Sequence, residues 1–162
     1  MPDPGRPLVL LVEDNTANRT LAAAILDRDG FSVVDAQSGE DALDLLRSLQ
    51  PDLIVADIHL PKMSGFDLIR EIRARPDLNS IPIVAVTAYA MKDDETRILT
   101  AGFDAYITKP INTRTFTSQL RRALRAREHV PGQITQRRRS LAPLASPPQR
   151  FQDHREYELR ER

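Results

Sequence analysis

Glu13, Asp14, Asp57, Thr87 and Lys109 each stand at or just after the end of a short apolar run. Between them they offer three carboxylates, a hydroxyl and an ammonium. Like charges brought within about 4–6 Å raise one another's pKa, so three converging carboxylates call for a cation. Hard oxygen ligands suit Mg²⁺, which takes one or two carboxylates and keeps several waters. Glu13, Asp14 and Asp57 sum to −3, and Mg²⁺ with Lys109 sums to +3. In such a neutral cluster Asp57 can attack phosphorus as a carboxylate nucleophile. The metal and Lys109 then stabilise charge on the transferring oxygens.

Most of these residues also have a plain structural use. Asp14 or Asn15 suits the cap of a following helix. Thr87 is a good strand former, and Lys109 is an ordinary solvated lysine ahead of a strand-ending proline. Asp57 fits no such use. The next helix starts only near Ser64, and an acid directly after Leu53-Ile54-Val55-Ala56 needs a partner. The group gains meaning if one edge of the fold collects all five residues.

Alternation along the chain supplies that edge. Strands are expected at Leu8–Val12, Phe31–Ala36, Leu53–Ala56, Ile83–Thr87 and Ala105–Ile107, nearly continuous in hydrophobicity and therefore covered on both faces. Helices are expected at Asn18–Arg28, Ser38–Leu49, Ser64–Arg75, Lys92–Ala101 and Thr113–Arg127, stopped by Gly30, Pro51 or Gly102 where a breaker follows. In the first, Leu21, Ala24, Ile25 and Arg28 share a face; in the last, Phe116, Leu120, Ala123 and Leu124 do. Strand and helix alternating five times favours a parallel sheet with helices on both faces. Ligands of such sheets bind at the carboxyl ends of the strands, and those are the ends that carry the five residues.

Bulk composition excludes several classes. At 162 residues there is room for one domain and an appendage, and 41% hydrophobic content is enough for a core. No cysteine is present, which removes disulfides and thiolate chemistry and fits a cytoplasmic protein. The first apolar run is too short for a signal peptide, and no run approaches the roughly 18 residues of a membrane span. Residues 1–126 carry 15 basic and 18 acidic side chains, and residues 127–162 carry 8 and 5. That excess is too dispersed for a nucleic-acid binder. Beyond Arg127 the periodicity fails at Pro131-Gly132, Arg137-Arg138-Arg139 and Ser146-Pro147-Pro148. The expectation is a domain over 1–127 and a disordered Arg/Pro-rich tail over 128–162.

Glu13-Asp14-Asn15, Asp57-Ile-His-Leu-Pro-Lys-Met-Ser-Gly65, Val86-Thr87-Ala88 and Tyr106-Ile-Thr-Lys109-Pro110 resemble the motif set of bacterial response-regulator receiver domains. The likeness covers roughly residues 7–126. The stretch Ile81–Lys92 is similar to stand-alone receivers of the cell-division-control type and to receivers of hybrid kinases. The resemblance implies a flavodoxin-like, doubly wound five-stranded parallel sheet of order 2-1-3-4-5 with five helices. It implies that Asp57 is the phosphoacceptor, served by a sensor histidine kinase or a histidine phosphotransfer protein. Mg²⁺ would be held by Asp14, Asp57 and the backbone carbonyl of His59, with Glu13 acting largely through water. Thr87 and Lys109 would bind phosphoryl oxygens, Thr87 and Tyr106 would form the switch, and Lys109-Pro110 would be cis. His59 and Tyr89 match positions that vary in the family and bear on phosphate lifetime. The 92–127 face would then meet a downstream protein partner, with neither nucleic acid nor membrane insertion involved.

Two other classes compete. An aspartate-nucleophile phosphatase of the haloacid-dehalogenase type needs a second carboxylate two residues after the nucleophile, where this chain has His59, and it needs a cap domain. A transcription factor using Arg137–Arg139 needs an output domain larger than the 36 residues from 127 onward. The expectation is a switch that assists only its own phosphorylation and dephosphorylation. His59 reads best as a solvent-facing loop residue. His129 and His154 have no partners at metal spacing. Losing the Lys109 charge is expected to impair signalling while leaving the apo fold as stable as before, or more so.

Overall fold

The computed structural model describes residues 3–88 and 91–128. Tyr89, His129, His154 and the expected tail beyond Glu128 lie outside the described residues. Five strands form one parallel sheet of order β2-β1-β3-β4-β5: β1 Leu8–Val12, β2 Ser32–Ala36, β3 Leu53–Asp57, β4 Ile83–Thr87 and β5 Ala105–Thr108. Five helices alternate with them: α1 Thr16–Arg28, α2 Gly39–Leu45, α3 Gly65–Ala74, α4 Lys92–Ala101 and α5 Phe116–Glu128. This is the flavodoxin-like doubly wound arrangement that the motif set implied.

Successive strand residues point to opposite faces, and both faces are buried. Leu10, Val12, Ile54, Ala56, Ile83 and Ala85 join Leu68, Ile72 and Ile98 in one core. Val9, Leu11, Leu53, Val55, Val84 and Val86 join Ile25, Leu26, Phe31, Phe116 and Leu120 in the other. That two-sided burial is why the strands read as continuous apolar runs.

The helix ends are set locally. Asn15 caps α1 by accepting the Asn18 amide at 2.9 Å, and Ser38 caps α2 by accepting that of Asp41 at 3.1 Å. Ser64 and Asp67 form a reciprocal capping box on α3. Helix α4 has no side-chain cap at its start and closes on Gly102 at φ +112°, a backbone state that glycine adopts without a Cβ penalty. Helix α2 stops at Leu45, short of Leu49, because the chain tightens into three-residue bonds from Arg47 to Asp44 and from Ser48 to Leu45. Helix α5 starts at Phe116 because the Asn112 carbonyl accepts from Thr115 and Phe116, and its side chain from Arg114. At the other end α5 continues to Glu128, one residue past the expected boundary.

The face expected for α1 is out of phase. Of the four residues expected to share the inward face Ile25 is buried, but Leu21 is 50% exposed and Ala24 and Arg28 are exposed, whereas Arg19, Ala22 and Leu26 are buried. Six consecutive apolar residues, Leu21–Leu26, satisfy more than one helical phase, so periodicity alone could not choose.

At the amino edge of the sheet one carboxylate gathers three elements. Asp104 accepts from Arg73 of α3 at 2.9 Å, from Arg127 of α5 at 2.8 Å and from the Ile83 amide at 2.8 Å.

Candidate functional site

The carboxyl edge collects the five residues as the alternation required. Glu13 and Asp14 follow β1, Asp57 and Thr87 are the last residues of β3 and β4, and Lys109 follows β5. Glu13 and Asp57 are each 5% exposed, and Thr87 is buried. Asp14 lies exposed at the rim, freed from capping because Asn15 takes that role.

Lys109 Nζ bridges the two buried acids. It donates to Asp57 Oδ2 at 2.6 Å and to Glu13 Oε2 at 3.0 Å. The other Asp57 oxygen, Oδ1, accepts the His59 backbone N–H at 2.9 Å, and Glu13 Oε1 accepts that of Asn15 at 3.1 Å. Burial pushes the Glu13 carboxyl above its ordinary range, helped by the charge on Asp57 and opposed by the bonds from Lys109 and Asn15. Burial works against the Lys109 ammonium, but its bonds to Asp57 and Glu13 outweigh this and hold its pKa above that of a free lysine.

One oxygen each from Glu13, Asp14 and Asp57 lies within 4.8 Å of the others. Three hard anionic donors converging so closely fit a small hard cation. The apolar floor of both cores lies beneath them, so the charges of the buried Glu13 and Asp57 are poorly screened.

Loop geometry maintains the cleft. The Lys109-Pro110 peptide is cis, and the Lys109 amide bonds the Thr87 carbonyl at 2.7 Å. Gly65 packs on the backbone of the nucleophile candidate: a Cβ there would lie 2.7 Å from both the Asp57 carbonyl oxygen and Ile58 Cα. The His59 side chain is exposed. Tyr106 is half-buried on β5 and lies near Glu95 of α4. Burial and then the Glu95 charge push its phenol pKa up.

Arg19 escaped the reading from sequence. It is 8% exposed, and its guanidinium reaches the carbonyls of Glu13 at 2.9 Å and Asp14 at 3.4 Å. Its only signal was its spacing, three and seven residues before Ala22 and Leu26, on a face assigned to the wrong phase.

A profile of the response regulator receiver domain matches residues 9–121. The chain belongs to the response-regulator receiver family. It is therefore a two-component receiver domain, a signalling switch. The polar-differentiation response regulator DivK of Brucella ovis is 42% identical over 113 residues, which is 70% of this chain and 92% of the relative. Among solved structures, the receiver domain of a Syntrophus aciditrophicus signal transduction histidine kinase superimposes with a TM-score of 0.70 at 30% identity. That match covers 78% of this chain and 96% of the other. The receiver domain of a Pseudomonas aeruginosa sensor histidine kinase gives 0.68 at 34% identity, covering 74% and 98%, and carries a magnesium ion coordinated in its active site cleft. Among the described residues of this receiver domain, no helix is long and apolar enough to cross a membrane.

Proposed function

We propose that this receiver domain accepts a phosphoryl group on Asp57 from a phosphohistidine of a sensor kinase or histidine phosphotransfer protein. The observation that carries the reading is the buried Asp57 carboxylate, gripped by Lys109 on one oxygen and by the His59 amide on the other. An Asp57 oxygen forms the new O–P bond as the P–N bond breaks, and that bond's electron pair returns to the imidazole nitrogen of the donor. Lys109 is within reach to pass from Asp57 to a phosphoryl oxygen, and Thr87 offers a hydroxyl at the same edge. Glu13, Asp14 and Asp57, with the His59 carbonyl, would hold Mg²⁺. When bound, the ion neutralises oxygen charge in the transfer.

The added phosphate brings charge and strong acceptor oxygens beside Thr87. Thr87 donating to it and Tyr106 leaving Glu95 would alter the 92–127 face that a downstream protein meets. Residues 128–162 are then an appendage that the phosphoryl chemistry does not need.

Incubation with acetyl phosphate or phosphoramidate, with and without Mg²⁺, followed by intact-mass measurement, tests the reading. One added phosphoryl group is expected, lost with EDTA and lost in Asp57→Asn. A phosphoryl group mapped to His59 or Ser64 would overturn it.

A further inference from the structure

We propose that Arg19 is a positioning residue for the cation site, fixing the backbone from which Glu13 and Asp14 present their carboxylates. The inference rests on the metal-dependent reading above. Arg19 lies in the first turn of α1, and helical Cα–Cβ bonds tilt toward the amino end, so its side chain runs back along the loop that carries the two acids. There Nη1 donates to the carbonyl oxygens of Glu13 at 2.9 Å and Asp14 at 3.4 Å. On its other edge Nε donates to Asp35 Oδ2 of β2 at 3.1 Å. The guanidinium is a planar fork, so contacts on two edges fix both its location and its tilt.

The position is unusual for a charge. Arg19 occupies the inward phase of α1 beside Ala22 and Leu26, where an apolar side chain would pack without desolvating an ion. What it gains there is two peptide carbonyls, and these belong to two of the three residues of the acid group. Turning either peptide unit re-aims the carboxylate attached to it. Glu13 is thus held at both ends, its backbone by Arg19 and its carboxylate by Lys109 and the Asn15 amide. Asp14, exposed and left out of the helix cap, takes its backbone contact from the same guanidinium.

Isothermal titration of the full chain with Mg²⁺, paired with thermal unfolding in EDTA, separates positioning from mere packing. Outer-shell partners of metal sites are worth about 10- to 100-fold in affinity. Arg19→Ala is expected to weaken Mg²⁺ binding by that order in protein that still unfolds cooperatively. Arg19→Lys, which keeps the charge but not the fork, should fall in between. Wild-type affinity in folded Arg19→Ala overturns the proposal. If Arg19→Ala does not fold, Asp35→Asn decides. Asp35 is 55% exposed at its side chain, and its loss leaves Arg19 in place without its outer anchor. A smaller loss of affinity in the same direction supports the proposal, and unchanged affinity overturns it. A wild-type chain that binds no Mg²⁺ overturns the metal reading and this inference together. Wild-type binding with unaltered variants overturns this inference alone.

Discussion

Asp57 divides its two oxygens between a fixed donor and a movable one. The His59 amide is part of the backbone, whereas Lys109 reaches in on a flexible stem. That asymmetry makes Lys109 more than an accessory to chemistry. From sequence alone, losing its charge was expected to spare the apo fold or even stabilise it. The two ion pairs reverse that expectation, because Lys109→Ala strands two buried carboxylates. Removing one partner of a buried ion pair costs about 3–5 kcal/mol, so Lys109→Ala should unfold at lower temperature than wild type in EDTA at neutral pH. Added Mg²⁺ should recover part of the difference, since the cation replaces the missing charge. Equal midpoints in EDTA would show that the pairs carry no net stability. At this scale the acids, Thr87 and Lys109 were all legible, because strand ends are marked by abrupt changes from apolar to charged residues. The partner of each atom was not legible. Only three-dimensional packing decides that Lys109 bridges Glu13 and Asp57 while Asp14 stays at the rim.

Among elements, α1 shows where periodicity runs out. The run Leu21–Leu26 is apolar throughout, so the inward face is chosen by the neighbours, and Leu26 rather than Leu21 enters the core. Leu26→Ala should cost about 2–5 kcal/mol in urea unfolding, whereas Leu21→Ala should stay within about 0.5 kcal/mol. Comparable losses in the two would restore the original phase. The helix order and the five strands were legible because their breakers and apolar runs are sharp. The early end of α2 and the late start of α5 were not, since they depend on bonds made by Leu45 and Asn112. Helix α4 is the least anchored of the five: Ile98 is its one buried residue, and its start lacks a side-chain cap. Its amides should exchange with solvent faster than those of α3, which buries Gly65, Leu68, Ile69 and Ile72. Similar protection in both helices would contradict this. The loop before α3 has the opposite character. Gly65→Ala forces a methyl against the Asp57 carbonyl and should lower both stability and phosphorylation by acetyl phosphate.

At the scale of the molecule, charge ties helices to one another. Asp29 at the end of α1 binds Arg28 and the Thr117 hydroxyl of α5, which together hold its carboxyl down to about 2. A carboxylate depressed in the folded state contributes stability above its unfolded value near 3.8 and loses it as pH falls through about 2. Asp29→Asn should therefore flatten the acid limb of the stability curve between those values. An unchanged acid limb would mean that the link between α1 and α5 contributes nothing. The Asp104 cluster at the amino edge has a mechanical consequence. Arg73 and Arg127 both lie in the last turns of their helices, so α3 and α5 are pinned at the end of the sheet remote from Asp57. Helix α5 is a lever of 13 residues, about 20 Å long at 1.5 Å per residue. A rotation of about 5° around its pinned end sweeps the Phe116 end by nearly 2 Å. Small rotations are thus magnified where the chain leaves Lys109-Pro110, and they vanish at Asp104, which serves as the fulcrum.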